Sequence, residues 1–313
     1  TDLLAQVSRG APHLDDLDLN PLLVQVDTAN AEEYKPDHRE DVPATLDVQI
    51  LRDGEPFFAR GEKMQLPYEV QNVQRSIGAR CSSAIVRKFG EKALPEGRLH
   101  IRLTGSAGQS LGAFSVQGLL LDVIGDANDY VGKGLSGATL QLRPPADASY
   151  QGGANTIIGN TCLYGATSGN LYAAGQAGVR FAVRNSGAEA VIEGCGANGC
   201  EYMTGGRVAI LGSVGDNFGA GMTGGVAYIW DPERQFEHVA NPDAIDWYPL
   251  VDMDQKHIDV FEMMLEIHRD KTGSARATEL LKEWGQTLSE TLMIVPKEIA
   301  DRVLKDTDVK KAG

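Results

Sequence analysis

The chain has 313 residues, of which 36 are glycine, and its 29 Lys+Arg against 43 Asp+Glu give a net charge of −14. This length can bury a sizeable core in two or three compact units. So acidic a surface repels phosphate backbones, which disfavours nucleic acid as a partner. The apolar stretches are too short to span a bilayer. The chain starts at Thr1 without a methionine or a secretory leader, so we expect a piece of a longer polypeptide.

The first 99 residues predict two lead-in regions. Residues 1–43 indicate a short helix, an acidic run from His13 to Pro21 and a proline-containing polar linker. Residues 44–99 indicate mixed α/β structure, with an extended piece around Leu66 and a helix from Asn72 to Phe89 that Gly90 ends.

A glycine repeat dominates the next region. Gly132-Lys-Gly134-Leu-Ser-Gly137, Ala173-Ala-Gly175-Gln-Ala-Gly178 and Gly219-Ala-Gly221-Met-Thr-Gly224 fit the template [G/A]-x-G-x-x-G. Looser copies end at Gly118 and Gly205, and a degenerate copy ends at Gly159. The interval between closing glycines is about twenty residues, which is typical of a solenoid whose units must stack to bury their apolar faces.

Each closing glycine precedes a short apolar stretch. Val179, Phe181 and Val183 alternate with Arg180 and Arg184, which predicts a strand with one inward face. Glycine suits corners, where a positive φ or a close backbone approach excludes a Cβ. The expected fold is therefore mainly β, a β-helix of about six to seven coils over residues 100–230 with α-helical flanking segments. The proposed structural corner residues are Gly118, Gly132, Gly134, Gly137, Gly175, Gly178, Gly205, Gly219, Gly221 and Gly224.

The same glycines also match a dinucleotide fingerprint at Gly132 to Gly137. That fingerprint needs a helix directly after it. Here an alternating stretch from Ala138 follows, and it ends in Pro144 and Pro145, where no helix starts. The corner interpretation is therefore favoured over a nucleotide site.

After Trp230 the pattern changes. Residues 231–250 are punctuated by proline, and a helix is predicted from Asp254 to Arg269. Ser274 is a candidate N-cap for a second helix that ends near Trp284. Residues 231–313 thus form an irregular segment followed by C-terminal helices.

The sequence contains no group of residues typical of a catalytic, cofactor or metal site. We therefore predict no catalytic, cofactor-binding or metal-binding residues. The cysteines, Cys81, Cys162, Cys195 and Cys200, form no C-x-x-C pair, and free thiols in a reducing cytoplasm are favoured over a metal site at the last two. Ser110 sits in a G-x-S-x-G string, but a corner role is favoured because the string lies within the repeats.

The scattered histidines and corner acids do not change this expectation. His257 and His268 share a predicted helix but lie eleven residues apart, too far for one metal. Asp126 and Asp129 could bind calcium at a repeat corner. Hydrogen bonds to turn backbone are the favoured role, and Asn160, Asn185 and Asn217 fit the same role.

Several long strings resemble the C-terminal domain of the glutamate synthase large-subunit family, and the resemblance covers nearly the whole chain. The strings are Gly105-Ser-Ala-Gly-Gln-Ser110, Gly125 to Gly137, Ile158-Gly-Asn-Thr161, Leu163-Tyr-Gly-Ala-Thr167, Phe181 to Gly187, Cys200 to Gly206, Asn217 to Gly225, and more weakly His268 to Trp284 and Leu14 to Leu23. The departures are Leu111, Val179, Ala197 and Asn198, which put in doubt the polar contacts that those positions make in the family.

The resemblance implies a right-handed β-helix with an architectural role between glutaminase and synthase domains. In the family, ammonia from glutamine passes to 2-oxoglutarate at an FMN and iron–sulfur site, and a flavoprotein subunit with FAD supplies electrons from NADPH in the bacterial type. No catalytic residue of that enzyme maps onto this chain, so the expectation is an enzyme fragment without its own active site. The alternatives are a stand-alone β-helical interaction module and an independent β-helical enzyme.

Overall fold

A computed structural model describes residues 44–90, 94–150 and 152–305 of the chain. The chain divides into two units, Thr1–Pro43 and Ala44–Gly313, and all described residues belong to the second. The lead-in helix, acidic run and linker predicted for residues 1–43 therefore lie outside the described residues.

The described residues contain twelve β-strands and eight α-helices. The strands are β1 Met64–Val70, β2 Leu99–Ala107, β3 Leu119–Ala127, β4 Ser136–Arg143, β5 Thr156–Ile158, β6 Ser168–Ala173, β7 Gln176–Ala177, β8 Ser186–Ile192, β9 Thr204–Ile210, β10 Gly224–Trp230, β11 Ile245–Pro249 and β12 Thr291–Pro296. The helices are α1 Leu46–Asp53, α2 Glu55–Arg60, α3 Ala79–Phe89, α4 Phe236–Val239, α5 Gln255–Thr272, α6 Ala275–Lys282, α7 Trp284–Ser289 and α8 Ala300–Lys305. Short 3₁₀ turns cover Gly152–Ala154, Leu250–Asp252 and Lys297–Ile299.

The strands form one mixed sheet in the order β1-β2-β3-β4-β6-β8-β9-β10-β12-β11, with β5 and β7 off this path. From β1 to β10 every neighbour on the path is parallel. Strand β12 runs antiparallel to both β10 and β11. The mainly β architecture with helical flanks is thus present, but the sheet is mixed instead of being built only from parallel coils.

The parallel strands bury one face, and several of them, such as β4 and β8, also bury part of the other face, which explains their apolar runs. Side chains such as Leu121, Leu140 and Val208 point into one large apolar core. Side chains of the alternate positions, including Tyr228, join a second core with Phe261 of α5. The C-terminal helices therefore cover part of the outer face of the sheet.

The stack of parallel strands begins earlier than the sequence predicts. Strand β1 pairs in register with β2, with Met64 opposite Leu99, so it belongs to the same sheet as the strands after residue 100. The helix predicted from Asn72 to Phe89 is too long, because α3 starts only at Ala79. Its N-cap, Gly78, has a φ of 98°, which a helix cannot contain.

The C-terminal predictions agree with the structure more closely. Helix α5 starts one residue after Asp254 and buries the predicted stripe, including Phe261 and His268. The Ser274 hydroxyl accepts a hydrogen bond from the Ala277 N–H, which confirms the predicted N-cap of α6. Strand β11, in contrast, lies in the segment predicted to be irregular. No helix in the described ranges has the length and apolar composition that a membrane span requires.

Candidate functional site

Six five-residue turns precede successive strands, and we call them the turn column. In each turn the first, third and fifth residues have positive φ values between 53° and 73°. The turns are residues 110–114, 130–134, 161–165, 180–184, 198–202 and 217–221. Most of these positions carry a side chain, although a left-handed conformation costs an L-residue about 1–2 kcal/mol. The surrounding structure must therefore stabilise the strained backbone.

Hydrogen bonds between consecutive turns supply that stabilisation. The N–H of the first position donates to the residue directly before the following turn, as from Ser110 to the Asp129 carbonyl (2.9 Å) and from Tyr130 to the Asn160 carbonyl (2.8 Å). The N–H of the third position donates to the preceding turn, as from Gly132 to the Leu111 carbonyl (2.8 Å). Each internal turn is thus tied to both neighbours, and its buried backbone groups are paired.

Glycine is required where an aromatic ring of the preceding turn covers the backbone. A Cβ on Gly134 would stand 2.5 Å from the Phe114 ring, and a Cβ on Gly221 would stand 2.5 Å from the Tyr202 ring. The rings themselves remain 59% and 53% exposed. Gly165 occupies the same turn position with nothing within 4 Å of its missing Cβ, so its positive φ alone favours glycine there.

The predicted corner glycines lie in different parts of the structure. Gly132, Gly134, Gly219 and Gly221 lie in the turn column, whereas Gly118, Gly137, Gly205 and Gly224 lie just beyond it, within or next to strand starts.

The other predicted corner glycines lie elsewhere. Gly178 donates to the Gly159 carbonyl (3.0 Å), and Gly159 donates to the Asn128 carbonyl (3.4 Å). These glycines form a second hydrogen-bonded column. The closing glycines therefore do not all occupy one equivalent position of the repeat, as the sequence spacing suggested. Gly175 faces the Ile157 side chain.

The strand predicted from Val179 to Val183 is wrong. This stretch belongs to the turn column, and its alternation reflects alternate left-handed residues at Arg180, Ala182 and Arg184. Phe181, Ala182 and Val183 are all buried, whereas Arg184 is exposed, so burial does not alternate along this turn. The strand of this repeat, β8, begins only at Ser186.

Three of the polar corner residues, Asp129, Asn160 and Asn185, bind backbone groups as predicted. The Asp129 carboxylate accepts the Asn160 N–H (2.8 Å), and the Asn160 side-chain carbonyl accepts the Val179 N–H (2.9 Å). The buried Asn185 side chain accepts and donates hydrogen bonds at Ala188. Asn217 instead pairs with the Asn241 side chain. In residues 44–90, 94–150 and 152–305 no three His, Cys, Asp or Glu side chains are grouped to hold a metal ion.

The thiols and Ser110 occupy structural positions. All four cysteines are free and buried, and burial raises the pKa of Cys162 and of Cys195 to about 12. Such thiols are protonated at neutral pH in the metal-free chain, and in the described ranges they are not grouped with the further ligands that an iron–sulfur cluster needs. Ser110 has a left-handed φ of 64° within the turn column, with no strand–turn–helix around it.

The positions that depart from the family pattern all lie in or beside the turns. Leu111 is fully buried, whereas Val179 is 42% exposed. The Ala197 carbonyl accepts the Arg180 N–H (2.8 Å), and Asn198 has a left-handed φ of 62°. Backbone bonding at these positions thus continues without the usual side chains.

Besides Asp47, two buried carboxylates were not singled out by the sequence analysis. Asp122 on β3 bonds to Arg102 on β2 (3.0 Å) and to Arg143 on β4 (2.5 Å). Burial by itself raises the pKa of Asp122, but His100, Arg143 and Gln141 outweigh it and hold that pKa well below its ordinary value. An acidic residue inside an apolar strand run was the available signal.

The second carboxylate, Glu193, follows β8 and is 4% exposed. It accepts a hydrogen bond from the Ser274 hydroxyl, and the His268 Nε2 lies 3.5 Å from the same oxygen. Ser274 and His268 therefore both lie at the Glu193 carboxylate and form no serine–histidine pair. The group thus lacks the serine–histidine–carboxylate order of a nucleophilic triad. It joins the α5–α6 corner to the sheet.

Parallel strands joined by hydrogen-bonded, glycine-rich turns define a repeat domain. The family model described as the GXGXG motif matches residues 47–297, and the chain belongs to this family. Over its whole length the chain is also similar to glutamate synthase large chains.

The NADPH glutamate synthase large chain of Azospirillum brasilense is 53% identical over all of this chain and 20% of its own length. That of Bacillus subtilis is 39% identical over all of this chain and 21% of its own length. Ferredoxin-dependent glutamate synthase 2 of Synechocystis sp. is 44% identical over 79% of this chain and 16% of its own length. The chain thus spans about a fifth of the first relatives.

Proposed function

We propose that the chain is a non-catalytic structural domain of a glutamate synthase. Its role is to hold the glutaminase and FMN-dependent synthase domains in register for ammonia transfer. The parent reaction converts glutamine, 2-oxoglutarate and reductant into two glutamates. The observation that carries this proposal is the turn column, because turns bonded to both neighbours make a stiff spacer.

The finer fold that we propose is a right-handed β-helix. Consecutive repeats contribute parallel neighbouring strands, so the chain must return to the same end of the sheet after each repeat. The turn column and the second column through Gly159 and Gly178 support a coiled return path. Parallel crossovers are right-handed in about 98% of cases, which favours that hand.

The spacer length follows from strand geometry. Neighbouring strands lie about 4.8 Å apart, so each added coil would separate the flanking domains by that distance. The same arrangement uses Gly132, Gly134, Gly219 and Gly221 as structural residues. Within this proposal, residues 1–43 lead from a preceding synthase domain, 44–99 form a lead-in, 100–230 form the β-helix, and 231–313 contribute the C-terminal helices.

The proposed partners are the remaining domains of the same large chain and an electron-donating flavoprotein subunit in a cytoplasmic enzyme. FMN and the iron–sulfur cluster would belong to the other domains, since the described thiols do not fit a cluster. The names of the relatives, which include NADPH-, NADH- and ferredoxin-dependent enzymes, support the class and leave the donor open.

The direct test is an activity assay on the purified chain with FMN added. We expect neither glutamine hydrolysis nor glutamate formation above the buffer rate, with the complete large chain as the positive control. Robust turnover by the chain alone would refute a purely structural role.

A stand-alone interaction module is the second candidate. The exposed Phe114 and Tyr202 rings favour it, since aromatic residues are enriched at protein interfaces. Reading the coding frame upstream of Thr1 separates the two, because the module hypothesis predicts no glutaminase or synthase sequence in the same frame.

A further inference from the structure

Two neighbouring cavities in the described part of the chain open between the sheet and the C-terminal helices. Their volumes are about 420 and 440 Å³, and Gly153, Glu193 and Arg276 line both of them. This size falls in the range of small-molecule sites, which combine apolar walls with a few polar groups. The shared residues form the polar centre of this space.

The Arg276 guanidinium lies against an aromatic ring in this space. It lies over the Trp230 ring with 4.7 Å between its Cζ and the ring centroid. It forms no ion pair or hydrogen bond with another residue of the described ranges. Stacking fixes the plane of the guanidinium and leaves its N–H edge available, which is the geometry that binds a carboxylate through two hydrogen bonds.

Glu193 presents the opposite charge from the floor of the cavities. Its Oε1 is occupied by the Ser274 hydroxyl and lies near His268, whereas its Oε2 points toward Gly153. A carboxylate that is 4% exposed is costly to bury without cationic or hydrogen-bonding partners. An incoming ammonium group would give Oε2 such a partner.

The two charges face the same space without touching each other. The position where a side chain on Gly153 would begin lies 3.1 Å from Glu193 Oε2 and 3.6 Å from an Arg276 terminal nitrogen. Arg276 and Glu193 nevertheless form no ion pair. A ligand that carries adjacent positive and negative groups would satisfy both residues at once.

We propose that this space binds a small zwitterion of the α-amino acid class, with its carboxylate on Arg276 and its ammonium on Glu193 Oε2. A simple anion fits less well, because Glu193, Asp231 and Glu233 also line the first cavity. A simple cation fits less well because it would face Arg276. Gly153 keeps the centre of the site open.

Calorimetric titration of the chain with glycine, L-alanine and L-glutamine tests this proposal, with acetate and methylammonium as single-charge probes. At least one amino acid should bind about tenfold more tightly than either single-charge probe. Arg276→Met keeps the contact with Trp230 and removes the charge, so it should weaken amino acid binding by about tenfold or more. Arg52→Met removes an exposed arginine of α1, which lines neither cavity, and should leave binding unchanged.

Gly153→Ala is the second variant, because it adds one methyl group between the charges at a position without a left-handed φ. It should weaken binding while the thermal unfolding midpoint stays unchanged. The proposal is overturned if no amino acid binds, if acetate binds as tightly as the amino acids, or if Arg276→Met binds normally. None of these results bears on the proposed structural role. That role is tested separately by the ratio of free ammonia released to glutamate formed by the complete large chain.

Discussion

At the scale of single residues, the turn column shows why the glycine pattern is so uneven. Every turn needs three left-handed residues, yet glycine occupies only some of these positions. Side chains are tolerated where the space beyond the backbone is free, because bonds to both neighbouring turns offset the strain. Glycine is needed where a neighbour approaches, as at Gly134 beneath Phe114.

Two glycine substitutions should separate conformational strain from steric overlap. Gly165→Ala adds only the cost of a left-handed L-residue, so we expect a loss of about 1 kcal/mol in unfolding free energy. Gly134→Ala also drives a methyl group against the Phe114 ring, and should lose about 2 kcal/mol or more. Urea unfolding measures both, and adding Phe114→Ala to Gly134→Ala should remove the steric part. Equal losses for the two single variants would contradict the assigned role of the ring.

At the scale of secondary structure elements, buried polar residues tie neighbouring strands together. Asp122 on β3 joins β2 through Arg102 and β4 through Arg143. Because these contacts favour the ionised carboxylate, the folded-state pKa of Asp122 lies below the unfolded value of about 3.9. The contacts of Asp122 with Arg102 and Arg143 therefore stabilise the folded state above that pH, and their contribution decreases as the pH falls below it.

Asp122→Asn should consequently destabilise the protein most at neutral pH. The difference in unfolding free energy from the native sequence should stay constant between pH 7 and about pH 5. It should shrink below about pH 4, because the unfolded chain then binds a proton at Asp122 while the folded protein keeps this carboxylate ionised. Urea unfolding at several pH values measures this difference. Asp243→Asn, at an exposed position, is the matched control. A difference in unfolding free energy that does not depend on pH would show that the charge of Asp122 does not hold the strands together.

The sequence predicts the elements better than their register. Strands with a continuous or alternating apolar run, such as β3 and β4, are evident from the sequence because the side that faces the large core is apolar. The Val179 to Val183 stretch has the same alternation with a different backbone, since alternating φ signs mimic a strand. Gly159 and Gly178 were misaligned because two columns both need glycine, and spacing alone does not tell them apart. Glu193 and Arg276 are far apart in the sequence and come close together only in the folded chain, so no local sequence pattern predicts their cavity.

At the scale of the whole molecule, the parallel strands, the two columns of turns and the helices that cover the sheet resist bending. One face of the sheet packs on a large apolar core and part of the other face packs on the C-terminal helices, and each turn is bonded to its neighbours. A body of this kind suits a fixed distance between other domains better than it suits a moving part. Its relatives carry about four fifths of their length outside the region that this chain matches.

Removing one repeat from the complete large chain tests the spacer role most directly. Deletion of residues 198–216 joins the chain at equivalent turn positions, Asn198 and Asn217, and should shorten the stack by about 4.8 Å. The measurement is the ratio of free ammonia released to glutamate formed from glutamine, with glutamate formation from added ammonia and cooperative thermal unfolding as controls. The account predicts that this ratio rises while both controls are retained. An unchanged ratio in the folded deletion variant would contradict it.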